Sequence, residues 1–198
     1  EKFGVSRQQQ DQMAVESLAK AAKAEALLRK EITPYKTTIK DKDGNEKEVL
    51  VDRDDGCRKE TTLEGLSKLK PAFKKDGTTT AGNSSQVTDG ASAILLARRD
   101  VAKKLGLKIY GRIVSFSAVG VPPEIMGIGP AVAIPAALKK AGLQIKDIDI
   151  FEVNEAFASQ ALYCVEKLGI PKEKLNPKGG AIALGHPLGM TGARMIVT

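Results

Sequence analysis

The chain has 198 residues, is 42% hydrophobic and 28% charged, and carries a formal net charge of +7. This is a soluble globular composition with enough chain for a sizeable core in one or two domains. No apolar run reaches the ~20 residues of a membrane span, and the polar start at 1–12 argues against a signal peptide within the given residues.

Ser6 and Gln9 form an S-x-x-Q capping box, which predicts a helix over about 8–29. Met13, Leu18, Ala21, Ala22 and Leu28 share its apolar face, with charged residues on the remainder. Residues 37–39 and 48–51 flank the turn Asp43-Gly44 and predict a hairpin. The charged stretch 52–76 reads as loop with a short helix near 63–69. After Gly77 the chain becomes small and hydroxyl-rich (TTTAGNSSQVTD, 78–89), then predicts a helix over 90–105 stopped by Gly106. A kinked strand at 109–119, a Pro/Gly-rich loop at 121–130 and a helix at 131–141 follow, the helix bent by Pro135 and stopped by Gly142. A strand at 147–153, a helix at 155–168, a strand at 181–184 and a helix from about Thr191 complete the reading. From Gly90 onward, helices alternate with strands, as in a layered α/β protein.

Aromatic residues make up 4% of the chain and tryptophan is absent, so small apolar side chains must fill the interior. Cys57 and Cys164 stand in no CxxC spacing, and there is one histidine, so neither a disulfide framework nor a metal cluster is expected. A reducing compartment fits this usage. Cys164 belongs to a helix core, whereas Cys57 lies in a polar loop where it could react. The basic residues are dispersed and lack aromatic stacking partners, which disfavours nucleic acid. A small polyanion is the other explanation of the charge. The densest cluster, Lys68, Lys70, Lys74 and Lys75, reads equally as a ligand surface or a solvated lysine face.

The chain's sole histidine, His186, lies in GGAIALGHPLGMTGAR at 179–194. A neutral imidazole suits proton transfer near pH 7, and flanking glycines permit close approach. An incidental histidine in a glycine-rich turn is the alternative. Asn154, in NEAFA at 154–158, follows one strand as His186 follows another. Its amide either caps the next helix or faces a cleft, while Glu155 is expected to complement that helix's N-terminus. Loops after two strands can converge at one end of a sheet, where Asn and His would suit stabilisation of a carbonyl oxyanion.

NEAFA at 154–158, GHPLG at 185–189, TGAR at 191–194 and TAGNSSQVTDGA at 80–91 resemble the thiolases, particularly the peroxisomal-type 3-ketoacyl-CoA thiolases. VGVPPEIMGIGP at 119–130 and KLKPAFKKDG at 68–77 fit the same resemblance, which spans essentially the whole chain. It implies a layered α/β/α/β/α thiolase-like fold, incomplete in this chain. Residues 1–76 would form the loop domain, 77–107 the end of the N-terminal half and 108–198 a truncated C-terminal half.

The implied reaction is thiolysis of a 3-ketoacyl-CoA by CoA, giving acetyl-CoA and a shortened acyl-CoA. His186 would activate a cysteine nucleophile, and would form an oxyanion hole with a water held by Asn154. Arg58, Phe73, Ala81 and Ser85 would contact coenzyme A, a co-substrate rather than a resident cofactor, and Met126 would lie near the acyl pocket. For Phe73 and Met126 ordinary packing is the alternative. Both catalytic cysteines of the family pattern are expected outside 1–198, and neither Cys57 nor Cys164 stands in their motifs. The segment alone is expected to be inactive and poorly stable. A homodimer or tetramer of the complete protein and a peroxisomal location, with mitochondrion or cytoplasm as alternatives, rest on the resemblance. A non-catalytic CoA-binding fragment is the competing function.

Overall fold

A computed structural model describes residues 2–198. Its longest element is α1, Arg7–Leu28. The Gln9 side chain accepts from the Ser6 N–H at 2.8 Å and the Ser6 hydroxyl accepts from the Gln9 N–H at 3.2 Å, so the expected capping box starts the helix. Met13, Leu18, Ala21 and Leu28 are buried and Ala22 is half-buried. The simple division into apolar and charged faces is corrected: Gln10, Asp11 and Ser17 are buried with the apolar residues. Buried polar groups need partners. Arg7 supplies Asp11 with one at 2.7 Å and also donates to the Leu66 carbonyl at 2.6 Å, fastening α2 (Leu63–Ser67) against α1.

The hairpin forms as expected, with β1 (Tyr35–Lys40) antiparallel to β2 (Glu46–Val51). Two main-chain N–H groups, from Asp43 and Asn45, donate to Asp41 at 2.9 Å across the turn. These bonds, led by those from Asn45, hold the Asp41 carboxyl below its ordinary range. α3 (Arg99–Lys104), α4 (Gly129–Ala141), α5 (Ala158–Leu168), α6 (Ala181–Leu184) and α7 (Thr191–Val197) follow. Pro135 lies inside α4, and Gly142 stops the helix in a left-handed conformation as predicted. The loop expected at 121–130 contains a 3-10 turn, Pro123–Ile128.

One core joins Met13 and Ala14 of α1 and Leu66 of α2 to Ala158, Ala161 and Val165 of α5. Phe151, Val153 and Ile182 complete its centre. A second cluster packs Leu18, Ala21, Ala24 and Leu28 against Ala183. α1 therefore touches the loop carrying Asn154, through Ser17 and Glu155, and the helical turn that leads into His186.

Several expected elements are corrected. Residues 90–98 are not helical, and the helix starts only at Arg99. Residues 86–90 are already committed elsewhere: the Gln86 carbonyl accepts from the His186 N–H, and Gly90 lies against Pro187 and Met190. Beyond them Leu95 and Leu96 stay exposed, and a helix without a buried apolar face has little to hold it. Residues 109–119 form no strand because no ladder partner is present among the described residues. They lie instead along α4, where the Ser115 hydroxyl donates to the Ala137 carbonyl at 2.9 Å and Lys140 donates to the Phe116 carbonyl at 2.8 Å. The strand expected at 147–153 is reduced to one parallel bridge, Phe151 with Leu175. The strand expected at 181–184 is the helical turn α6. Its N-terminal Ile182 N–H donates to the Glu155 carboxylate at 3.3 Å, which favours a helix start over an unpaired strand. The helix expected over 155–168 begins three residues later, at Ala158.

A Cβ built on Gly180 would stand 2.2 Å from the Glu155 carboxyl carbon. Gly180→Ala is expected to destabilise the protein by ~1–3 kcal/mol through overpacking, read as a lower urea midpoint. Gly192→Ala in α7, where a Cβ meets nothing within 4 Å, is expected to be neutral or stabilising. Equal midpoints for the two variants would contradict this packing account.

Candidate functional site

Three loops meet at the site. The first, 80–90, is anchored through Asn83, which is fully buried. Its amide donates to Asp11 of α1 at 2.8 Å and to the Thr78 carbonyl at 3.0 Å, while its carbonyl oxygen accepts from the Thr80 N–H at 2.8 Å. The same loop pairs with the second, 153–157. Ser84 bridges Phe157, the Ser85 N–H donates to the Ala156 carbonyl at 2.9 Å, and the Ala158 N–H donates to the Asn83 carbonyl at 2.9 Å. The third, 185–191, joins the first where the His186 N–H donates to the Gln86 carbonyl at 3.1 Å.

Glu155 locks the second loop to the rest. Its carboxylate accepts from Ser17 at 2.6 Å, Asn176 at 2.7 Å and the Ile182 N–H at 3.3 Å. Burial pushes this carboxyl up, and the hydrogen bonds from Ser17 and Asn176 oppose that shift. Glu155 therefore does not complement the N-terminus of α5, as expected, but lies beside that of α6. Nor does Asn154 cap α5, whose N-cap is Phe157.

The Asn154 amide nitrogen stands 3.4 Å from His186 Nε2. Gln160 donates to the Asn154 main-chain carbonyl at 2.7 Å, while Asn154 Oδ1 is buried without a partner among the described residues. On the other side of the ring, His186 Nδ1 is 2.7 Å from Thr191 Oγ1. The turn that presents the ring is tight. Gly185 has φ +88 and packs against Thr88, and Leu188 adopts φ +38, a left-handed conformation uncommon for a side chain of its size.

The remaining predicted residues lie on the neighbouring segments. The Ser85 hydroxyl donates to the Ala156 carbonyl at 3.1 Å, and Ala81 is exposed on the same loop. Phe73 is 77% exposed and meets Phe157 edge-on at 6.0 Å. Met126 is 74% exposed, and its neighbour Gly127 packs on Gln160, the residue that holds the Asn154 carbonyl. Arg58 is exposed, two residues after Gly56, whose carbonyl accepts from Gln86 at 3.2 Å. Cys164 is buried as expected, with Sγ 3.6 Å from the Gly127 carbonyl. Cys57 is less free than its polar loop suggested. Its Sγ lies 3.7 Å from the Leu18 carbonyl, and burial pushes the thiol up, disfavouring thiolate.

Sequence reasoning missed Ser17, Gln86, Asn176 and Thr191. The last had a signal, its place five residues after the histidine in the same motif. Ser17 had none, being one small residue in a long helix.

Behind the site, Glu152 pairs with Arg194 at 3.5 Å. Lys178 pairs with Glu31 beside them. Burial pushes the Glu152 carboxyl up to about 7, against the pull of Arg194 and Lys178 and with the push of Glu155 and Glu31. A carboxyl raised in the folded state binds more protons there than in the unfolded chain between its ordinary value and about 7. Stability from this group is therefore present at low pH and lost as pH rises through that window. Glu152→Gln is expected to flatten the fall in stability from pH 5 to pH 7, measured by urea unfolding at both. An unchanged slope would refute this assignment.

Family profiles place these loops in a wider setting. The thiolase N-terminal domain matches residues 1–100, and the thiolase C-terminal domain matches 107–198. The chain is 66% identical over 200 residues to 3-ketoacyl-CoA thiolase B, peroxisomal, of Rattus norvegicus, covering 100% of this chain and 47% of that protein. Against the human peroxisomal 3-ketoacyl-CoA thiolase the identity is 62%, with the same coverage. The chain thus spans about half the length of the curated relatives it matches. Its fold superposes on the dimeric peroxisomal thiolase of Saccharomyces cerevisiae with a TM-score of 0.90 and 56% identity, covering 99% of this chain and 49% of that one. The Bacillus anthracis acetyl-CoA acetyltransferase gives 0.91 and 42% over the same shares. Both family profiles and both structures agree on the α/β thiolase fold: the chain belongs to the thiolase family.

Proposed function

We propose that this chain carries the histidine–asparagine part of a 3-ketoacyl-CoA thiolase site. The protein would cleave a 3-ketoacyl-CoA with CoA to acetyl-CoA and a shortened acyl-CoA, a step of fatty-acid β-oxidation. The observation that carries this reading is the convergence of Asn154 and His186 from loops 32 residues apart, with Asn154 Oδ1 left unpartnered beside them.

His186 Nε2 takes the proton of a thiol, leaving a thiolate that attacks the substrate's 3-keto carbon. The N–H so formed, with a water held by Asn154, donates to the oxygen that gains negative charge when the carbon–carbon bond breaks. Neither Cys57 nor Cys164 suits the nucleophile. Each thiol is raised by burial and packed on a main-chain carbonyl rather than on His186. The two cysteines of the covalent mechanism are assigned outside 1–198.

Coenzyme A enters as co-substrate. Ser85 and Ala81 lie on the loop paired with 153–157, Phe73 stands edge-on to Phe157, and the exposed Arg58 offers a cation to the nucleotide phosphates. Met126 is assigned to the acyl side. The domain division at 76 and 107, a homo-oligomeric assembly and a peroxisomal location belong to the same proposal. The names of the rat and yeast relatives support the assembly and the location.

Intact mass with mapping of both ends is the first measurement. A mass well above 21.1 kDa, with cysteine-bearing peptides beyond 1–198, is expected for the working enzyme. Thiolysis is then followed as loss of 3-ketoacyl-CoA on adding CoA. His186→Ala is expected to lower kcat by ~10²–10⁴-fold, and Asn154→Ala by ~10²-fold with KM little changed. Turnover unaffected by His186→Ala would overturn the reading. A mass of 21.1 kDa with no turnover would favour the non-catalytic CoA-binding fragment.

A further inference from the structure

Thr191 is 4% exposed, and its hydroxyl oxygen lies 2.7 Å from His186 Nδ1. The other ring nitrogen faces the Asn154 amide nitrogen, which can only donate. With the amide placed this way Nε2 is the acceptor, which assigns the ring proton to Nδ1, toward Thr191. Turning the Asn154 amide over would leave its NH2 in the place where Oδ1 is buried without a partner. The tautomer thus follows from the amide orientation, in which Oδ1 stays free to accept from the water assigned to Asn154.

We propose that Thr191 is a positioning residue of the reaction: its hydroxyl accepts the Nδ1–H of His186 and so keeps the Nε2 lone pair turned toward the site. The inference rests on the thiolase reading for its chemistry but on this chain's own geometry for the tautomer. Thr191 is well placed for the task. It opens α7, its N–H donates to the Leu188 carbonyl, and Leu188 in turn donates to the His186 carbonyl at 2.8 Å. The hydroxyl is thus fixed relative to the turn that carries the ring.

The proton balance is simple. A thiol gives its proton to Nε2, the ring becomes imidazolium, and Thr191 accepts from Nδ1–H before and after. A neutral hydroxyl orients the ring without holding the positive charge as a carboxylate would. The ring therefore returns its Nε2 proton readily to the nucleophilic cysteine when CoA displaces it from the acyl group, while the second cysteine protonates the departing enolate and deprotonates the attacking CoA.

The test uses the full protein with Thr191→Val, which keeps the shape and removes the oxygen, and Thr191→Ser, which keeps the oxygen. Thr191→Val is expected to lower kcat by ~10–100-fold with KM little changed, since a correctly oriented base contributes ~10²–10⁴-fold. Thr191→Ser is expected to recover most of that loss. Equal losses in both variants, or none in Thr191→Val, would overturn the proposal.

Nitrogen-15 spectra of histidine-labelled protein, with the His186 ring signals assigned by their loss in His186→Gln, read the tautomer without any turnover. The native protein is expected to show protonated Nδ1 and bare Nε2 when the ring is neutral, and Thr191→Val a shift toward protonated Nε2. A native ring protonated at Nε2 would overturn the proposal even in an active enzyme. An inactive native protein with protonated Nδ1 would instead sink the thiolase reading and leave the positioning contact supported.

Discussion

A single buried carboxylate organises this half of the molecule. Glu155 is 2% exposed and takes hydrogen bonds from Ser17 on α1, Asn176 and the main chain of Ile182. A charge removed from water must be surrounded by donors, and each missing donor leaves the others under-compensated. The donors come from positions 138, 21 and 27 residues away. Meeting that demand therefore sets the register of α1, the 176–182 segment and the loop that presents Asn154. It also fixes Gly180, where any side chain would occupy the carboxylate's space.

α1 repeats the strategy six residues earlier. Asp11, held by Arg7, receives the Asn83 amide and thereby pins the 80–90 loop. One helix with polar residues on its buried face thus clamps two loops. The third is reached through Gln86, whose carbonyl holds the His186 N–H and whose side chain donates to Gly56. A rigid helix acting through short hydrogen bonds transmits position better than loops packing on one another. This is why two small polar side chains far apart in sequence meet at 3.4 Å.

The apolar residues that this framework does not cover are equally informative. Leu95, Leu96, Tyr110 and Phe116 are among the most exposed hydrophobic side chains. They lie on segments that read as regular structure in sequence but remain irregular. A strand is a property of a pair and a helix is largely a property of the face it buries. With neither partner nor face among the described residues, the pattern alone does not produce the element.

The sequence by itself determined the local structure and the family. The Ser6 capping box, the Asp43-Gly44 hairpin, the Gly142 stop and the helix at Thr191 rest on interactions within a few residues. The separate NEAFA, GHPLG, TGAR and AGNSSQVTDGA motifs identify a thiolase because their order is hard to reach by chance. Tertiary structure alone decided the rest. It turned 181–184 from strand to helical turn through one carboxylate, moved Glu155 from a helix-end residue to a buried hub, and paired Thr191 with the histidine ring. Each depends on donors and acceptors distant in sequence, and a side chain's identity does not say which partner folding will bring to it.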